Sequence, residues 1–104
     1  MIIRFENLYL EKLFQSKPVS GKPRYSNEVV QKFKKKVLLL QAANNTAELR
    51  VVRSLNLEAL KGNLKGFYSI RVDLSYRLII TIDKDETITV DEIITVYDLN
   101  NHYQ

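Results

Sequence analysis

The sequence predicts an α+β fold, with two or three helices packed on one face of a small, mainly antiparallel β-sheet. Three observations carry that expectation. Apolar residues recur at helical spacing through the first half of the chain and switch to strict alternation near Phe67. Both prolines fall in one stretch, Ser16 to Ser26, so the loop-forming residues are gathered in one place. A length of 104 residues with 45% hydrophobic content suits one domain, residues 1–104, with one modest core.

Each element has its own signal. Ile2 to Phe5 reads as a short buried strand. Leu10, Leu13 and Phe14 recur at i, i+3, i+4 and mark a short helix entered at Asn7. Ser26 is a candidate N-cap with Glu28 in the first turn behind it. Val29, Phe33, Val37 and Leu40 then form one stripe of a long helix reaching about Ala43, with Gln31, Lys34, Lys35 and Gln41 opposite. "NNT" (Asn44 to Thr46) breaks that helix, and Thr46 is expected to cap a shorter one running to about Arg53.

Beyond the segment "LKGNLKG" the period becomes two. Tyr68, Ile70 and Val72 share one face, as do Leu78, Ile80 and Ile82 in the next strand. Ile88, Val90, Ile94 and Val96 repeat the pattern in the last strand, where Glu92 is the exception. "DKDE" (Asp83 to Glu86) is expected as the turn between these two strands. If all the apolar positions face the helices, Val72 can pair with Leu78 and leave Leu74 to Tyr76 as the loop. Arg77 would then lie across from Asp73 with Arg71 on the diagonal. Both arginines are expected on the open face, away from the helices.

Composition narrows the function classes. The 16 Lys and Arg against 12 Asp and Glu give a net charge of +4, which favours an anionic partner such as nucleic acid. With no Cys, disulfides and thiolate metal sites are excluded, and a reducing compartment fits. The start "MIIRFENLYLEKLF" is apolar but interrupted by Glu6 and Glu11, and reads as folded protein, not as a signal peptide. No apolar run approaches the ~20 residues a membrane span needs. A cytoplasmic protein without cofactor or metal is expected.

Lys61 and Lys65 precede the strand of Arg71, and Arg77 begins the next, so four cations crowd one short region. They can be plain solvated charges. They can also serve RNA cleavage, which needs a base for the ribose 2′-OH, cations for the phosphorane and an acid for the leaving 5′-oxygen. Arg suits the phosphorane because its planar fork matches phosphate oxygens. Glu58 is a candidate base, and His102, the lone histidine, a candidate acid. Tyr68, Tyr76 or Tyr103 could stack an unpaired base.

"EALKGNLKGFYSIRV" followed by "YRLII" resembles the RelE/ParE superfamily of bacterial type II toxins. The likeness to its HigB branch runs over nearly the whole chain, through "LEKLF", the Ser-Gly-Pro loop, the long helix and the LKG segment. Glu58, Leu60 and Lys61, together with the His-Tyr pair at 102 and 103, are similar to the YoeB branch. The resemblance implies the toxin of a type II toxin–antitoxin system, a ribosome-dependent mRNA endonuclease. It implies Glu58 as general base, Arg77 on the scissile phosphate, and His102 with Tyr103 as terminal acid and aromatic neighbour. Lys61 and Arg71 match basic positions that bind RNA; from position alone, Lys65 is a further RNA-binding candidate, and Lys34 and Lys35, on the outer face of the long helix, are candidates for meeting the ribosome. It also implies an antitoxin, typically carrying or working through a helix-turn-helix DNA-binding domain. A ParE-like gyrase-binding toxin and an inactive RNA-binding domain of the same fold are the alternatives.

Overall fold

The computed structural model describes residues 1–84 and 92–101. Strand β1 (Ile2–Phe5) is followed by helices α1 (Leu8–Phe14), α2 (Asn27–Ala42) and α3 (Thr46–Val51). Strands β2 (Glu58–Ala59), β3 (Tyr68–Arg71), β4 (Arg77–Lys84) and β5 (Glu92–Asn100) complete the fold. They form one sheet in the order β1-β5-β4-β3-β2. Every neighbouring pair is antiparallel except β1 and β5, which run parallel. The expected α+β architecture is therefore observed. No helix among the described residues is long and apolar enough to cross a membrane.

Both early helix starts are capped as their sequences suggest. Asn7 Oδ1 accepts from the Leu10 N–H at 3.1 Å, and Ser26 Oγ accepts from the Val29 N–H at 3.2 Å. The α2 stripe of Val29, Phe33, Val37 and Leu40 is buried, and it joins Leu10, Leu49, Ile70, Leu78, Ile80, Ile94 and Val96 in one core between helices and sheet. The Pro- and Gly-bearing loop is tied down at its end. Tyr25 donates its hydroxyl to the Leu99 carbonyl at 2.8 Å, and burial, with help from the Asp98 charge, pushes this phenol up to about 12.

Four expectations need correction. The cap of α3 is Asn45, whose side chain accepts from the Glu48 N–H at 3.0 Å. Thr46 instead donates its N–H and hydroxyl to the Glu92 carboxylate, at 2.9 and 2.6 Å. That is why a glutamate interrupts the alternation of the last strand: it is bound to a helix start. The helix itself ends at Val51, and a 3₁₀ turn covers Arg53–Leu55. Strand β4 continues through Asp83 and Lys84, which pair with Ile93 and Glu92. The expected turn at Asp83 thus begins too early, while Glu86, Ile88 and Val90 lie outside the described residues.

The fourth correction is the β3–β4 register. Ile70 opposes Leu78 and Arg71 opposes Arg77, two residues from the expected pairing. A slip of two preserves which face each side chain takes, so alternation cannot detect it. The turn decides. Asp73 Oδ1 accepts from the N–H groups of Ser75 (2.8 Å) and Tyr76 (2.7 Å), and the Val72 N–H donates to the Tyr76 carbonyl at 2.9 Å. This side-chain-closed turn occupies Asp73 where a strand partner of Arg77 was expected.

The Thr46–Glu92 link carries a pH signature. Those two hydrogen bonds hold the Glu92 carboxyl below its ordinary value of 4.5. A carboxylate depressed in the folded state adds stability that is complete above the ordinary value. That stability is lost as pH falls through the depressed one. We expect Glu92→Gln to cost about 1–2 kcal/mol at neutral pH, and much less once the medium is acid enough to protonate Glu92. Urea denaturation at a series of pH values measures this, and a pH-independent difference would contradict it.

Candidate active site

An open groove of about 610 Å³ is lined by Asn56, Glu58, Arg71, Arg77, the turn residues Asp73 to Ser75, and Asn101. Three of the expected site residues, Glu58, Arg71 and Arg77, therefore meet in one place. Strand pairing brings them there. Glu58 on β2 opposes Ser69, and the next position on that face of β3 is Arg71, directly opposite Arg77. The edge strand that presents Glu58 is two residues long, too short to show a period in sequence.

Arg77 is not on an open surface as expected; it is only 7% exposed. Its side chain lies down on the sheet. Nε donates to Ser69 Oγ at 2.8 Å, and Nη2 donates to the carbonyls of Asn56 (2.6 Å) and Ser69 (3.3 Å). Among the described residues these bonds leave Nη1 unused. Asn56 can offer its carbonyl because it takes a left-handed conformation (φ 45°, ψ 57°), which asparagine tolerates better than most residues. Burial lowers the Arg77 pKa, Glu58 pulls it back up and Arg71 lowers it further. A guanidinium stays charged through such changes.

Arg71 is exposed. Two cations directly across a strand pair repel, so the sheet carries a local excess of positive charge that an anion would relieve. Glu58, also exposed, stands one pleat away, and the groove's other acidic lining residue, Asp73, is held in the turn by the Ser75 and Tyr76 N–H groups.

The other expected residues lie elsewhere. Tyr68 and Tyr76 pack against the helix-side core, and Tyr76 stands edge-on to Tyr25 with ring centroids 5.8 Å apart. Their even positions share the face of Ile70 and Leu78, which corrects the idea that they offer rings at the arginine site. Lys61 and Lys65 are exposed at the ends of a 3₁₀ turn (Gly62–Leu64), outside the groove lining. The glycines of that segment, Gly62 (φ 64°) and Gly66 (φ 97°), serve left-handed backbone at the turn. Lys34 donates to Ser16 Oγ at 2.6 Å and Lys35 is exposed, both on α2 and outside the groove lining. His102 and Tyr103 lie outside the described residues; Asn101, the last of them, lines the groove. Sequence reading missed Asn56 and Ser69, the residues that hold Arg77. Ser69 could have been found from a correct register, and Asn56 carried no signal of its own.

Solved structures share this architecture. The chain is similar to the YoeB/ParE toxin from Agrobacterium tumefaciens, with a TM-score of 0.60 and 17% identity over 99% of this chain and 100% of that one. It is also similar to the toxin in the YoeB–YefM complex from Staphylococcus aureus, with a TM-score of 0.58 and 26% identity over 99% and 98% of the two chains. The fold class is that of these small bacterial toxins. Residues 3–95 match the HigB-like toxin family, described as RelE-like toxins of the type II toxin–antitoxin system HigB, and the chain belongs to that family. A stretch of 45 residues is 47% identical to Toxin HigB-1 of Vibrio cholerae, covering 43% of this chain and 47% of that protein. The match thus spans about half the length of that curated relative.

Proposed function

We propose that the chain is a ribosome-dependent mRNA endonuclease that cleaves by attack of a ribose 2′-OH on its own 3′-phosphate. The observation that carries this reading is the meeting of Glu58, Arg71 and Arg77 in one groove. Glu58 takes the 2′-OH proton as the oxygen bonds to phosphorus. Arg77, and Arg71 opposite it, hold the charge that grows on the phosphorane. His102 protonates the departing 5′-oxygen, with Tyr103 beside it, leaving a cyclic 2′,3′-phosphate and a 5′-hydroxyl. Lys61 and Lys65 bind the RNA strand, and the ribosome supplies alignment of the 2′-OH with the phosphate, which so few groups cannot impose alone.

The partner that restrains this activity is an antitoxin, working with a helix-turn-helix DNA-binding domain. Support comes from a similar S. aureus structure, a heterotetrameric complex of the YoeB–YefM toxin–antitoxin. Acting on translated message places the protein in the cytoplasm. The test is induced expression without antitoxin, with primer extension on cellular mRNA. Cuts inside translated messages are expected. Intact messages with failing DNA supercoiling would favour the gyrase-binding alternative instead.

Lys34 and Lys35 lie outside the groove and are assigned to encounter with the rRNA-rich ribosome. Changing both to Ala should weaken ribosome association, with a loss that fades as salt rises, and should leave turnover at saturation unchanged. Co-sedimentation at several salt concentrations beside single-turnover cleavage separates the two effects. A slower cleavage step at saturation would place these lysines in the chemistry.

A further inference from the structure

Phe67 and Tyr97 form a ring pair outside both the groove lining and the helix-side core. Phe67 stands one residue before β3. Tyr97 is the extra residue at the irregularity of β5, because Ile80 pairs with Val96 while Ile79 pairs with Asp98. Strands β3 and β5 flank β4, so they lie two strand spacings apart, about 10 Å. Yet the ring centroids are 5.0 Å apart, with planes at 78°. The rings can meet only by leaning toward one another across β4 on a single face. That face is the groove's, because Phe67 shares the parity of Ser69, whose hydroxyl holds Arg77. Burial of Ile79 (3% exposed) on this same face, outside the helix-side core, agrees with rings overhead.

The register sets these groups in successive rows. Arg71 and Arg77 make one row, Glu58 and Ser69 the next, and Phe67 follows one pleat further, about 7 Å along the chain, with Tyr97 reaching it from the bulge beside the Ser69 row. Lys65, exposed, lies two residues before Phe67. A row of cations, an acid and then half-buried aromatic rings matches one nucleotide of a single strand, in which the sugar joins the backbone phosphate to the base it carries. Resting on the nuclease reading above, we propose that Phe67 and Tyr97 are the stacking platform for a nucleobase adjoining the phosphate held by Arg71 and Arg77. The edge-to-face arrangement fixes the rings to each other, so the platform is formed before RNA arrives. Stacking on a ring face reads no base edge, so the platform accepts any base.

The probe is a short single-stranded RNA with 2′-O-methyl groups, which prevent cleavage, carrying the fluorescent base 2-aminopurine at each position in turn. The wild-type chain should quench one position on binding. An abasic residue there should weaken binding by about tenfold. Phe67→Leu should lose the quench and a similar factor of affinity, while Tyr97→Phe, which keeps the ring, should retain both. Absence of quenching at saturation, absence of RNA binding, or a folded Phe67→Leu protein that quenches like wild type would overturn the platform. The abasic arm uses only the wild-type chain, so it decides even where Phe67→Leu fails to fold. Primer extension on translated messages reads the nuclease independently. Cut messages without quenching reject the platform alone, and quenching with intact messages rejects the nuclease alone.

Discussion

Arg77→Ala is expected to lose at least ~10²-fold in single-turnover cleavage and, separately, about 2–3 kcal/mol of stability. The second loss follows from the position of the side chain. Removing the guanidinium leaves the Asn56 carbonyl and the Ser69 hydroxyl, both set against a buried group, without the donors they face. Arg71→Ala separates the two effects. Its side chain is exposed and opposes a like charge, so its removal should leave stability unchanged or slightly raised while slowing cleavage. Urea denaturation of each variant, beside cleavage on programmed ribosomes at saturating protein, makes the comparison. A folded Arg77→Ala protein with near wild-type turnover would remove the centre of the proposed site.

Glu58→Gln should lower the cleavage rate by ~10²–10⁴-fold with no measurable change in folding. The substitution keeps size and hydrogen-bonding reach but cannot accept a proton from the 2′-OH. Glu58 is exposed on a two-residue edge strand and supports no core contact, so circular dichroism and melting should match wild type. The variant should still bind the ribosome, because the arginines and lysines that attract RNA are untouched. Its binding should even strengthen slightly, since a negative charge leaves a groove meant for phosphate. Undiminished cleavage by Glu58→Gln would assign the base elsewhere.

The helix half of the molecule was legible because its signals are redundant. Four stripe residues, Val29, Phe33, Val37 and Leu40, agree with one another and with the Ser26 cap, and each reinforces the same helix. The sheet half was legible in which face each residue takes, and not in which residue meets which. Parity assigns Leu78 and Ile80 to the core for any even shift of register, so the choice fell to the turn. There the Asp73 carboxylate bonds backbone N–H groups two and three residues ahead, an interaction that hydrophobic alternation does not register. The two-residue slip turned Arg77 from a strand partner of Asp73 into one of Arg71, with Ser69 one position on within reach of Nε, and the expected exposed cation is a buried one. Glu58 and Arg71 were nameable by residue type, yet their convergence depended on a strand of two residues. Asn56 acts through its carbonyl, and a backbone group has no sequence signature.

The tethered guanidinium has an entropic consequence. A free arginine that grips a phosphate surrenders rotamer freedom at that moment, an entropy loss of up to about 2 kcal/mol. In Arg77 the freedom is already gone, removed when the chain folded and Ser69 and Asn56 closed on Nε and Nη2. The Nη1 edge, unused among the described residues, is therefore held in a fixed direction, and its contact with an anion costs little further side-chain entropy. Arg71, untethered, should show the opposite signature. Isothermal calorimetry with a phosphate-bearing ligand would then find Arg77 variants losing heat of binding, and Arg71→Ala relieving an entropic cost.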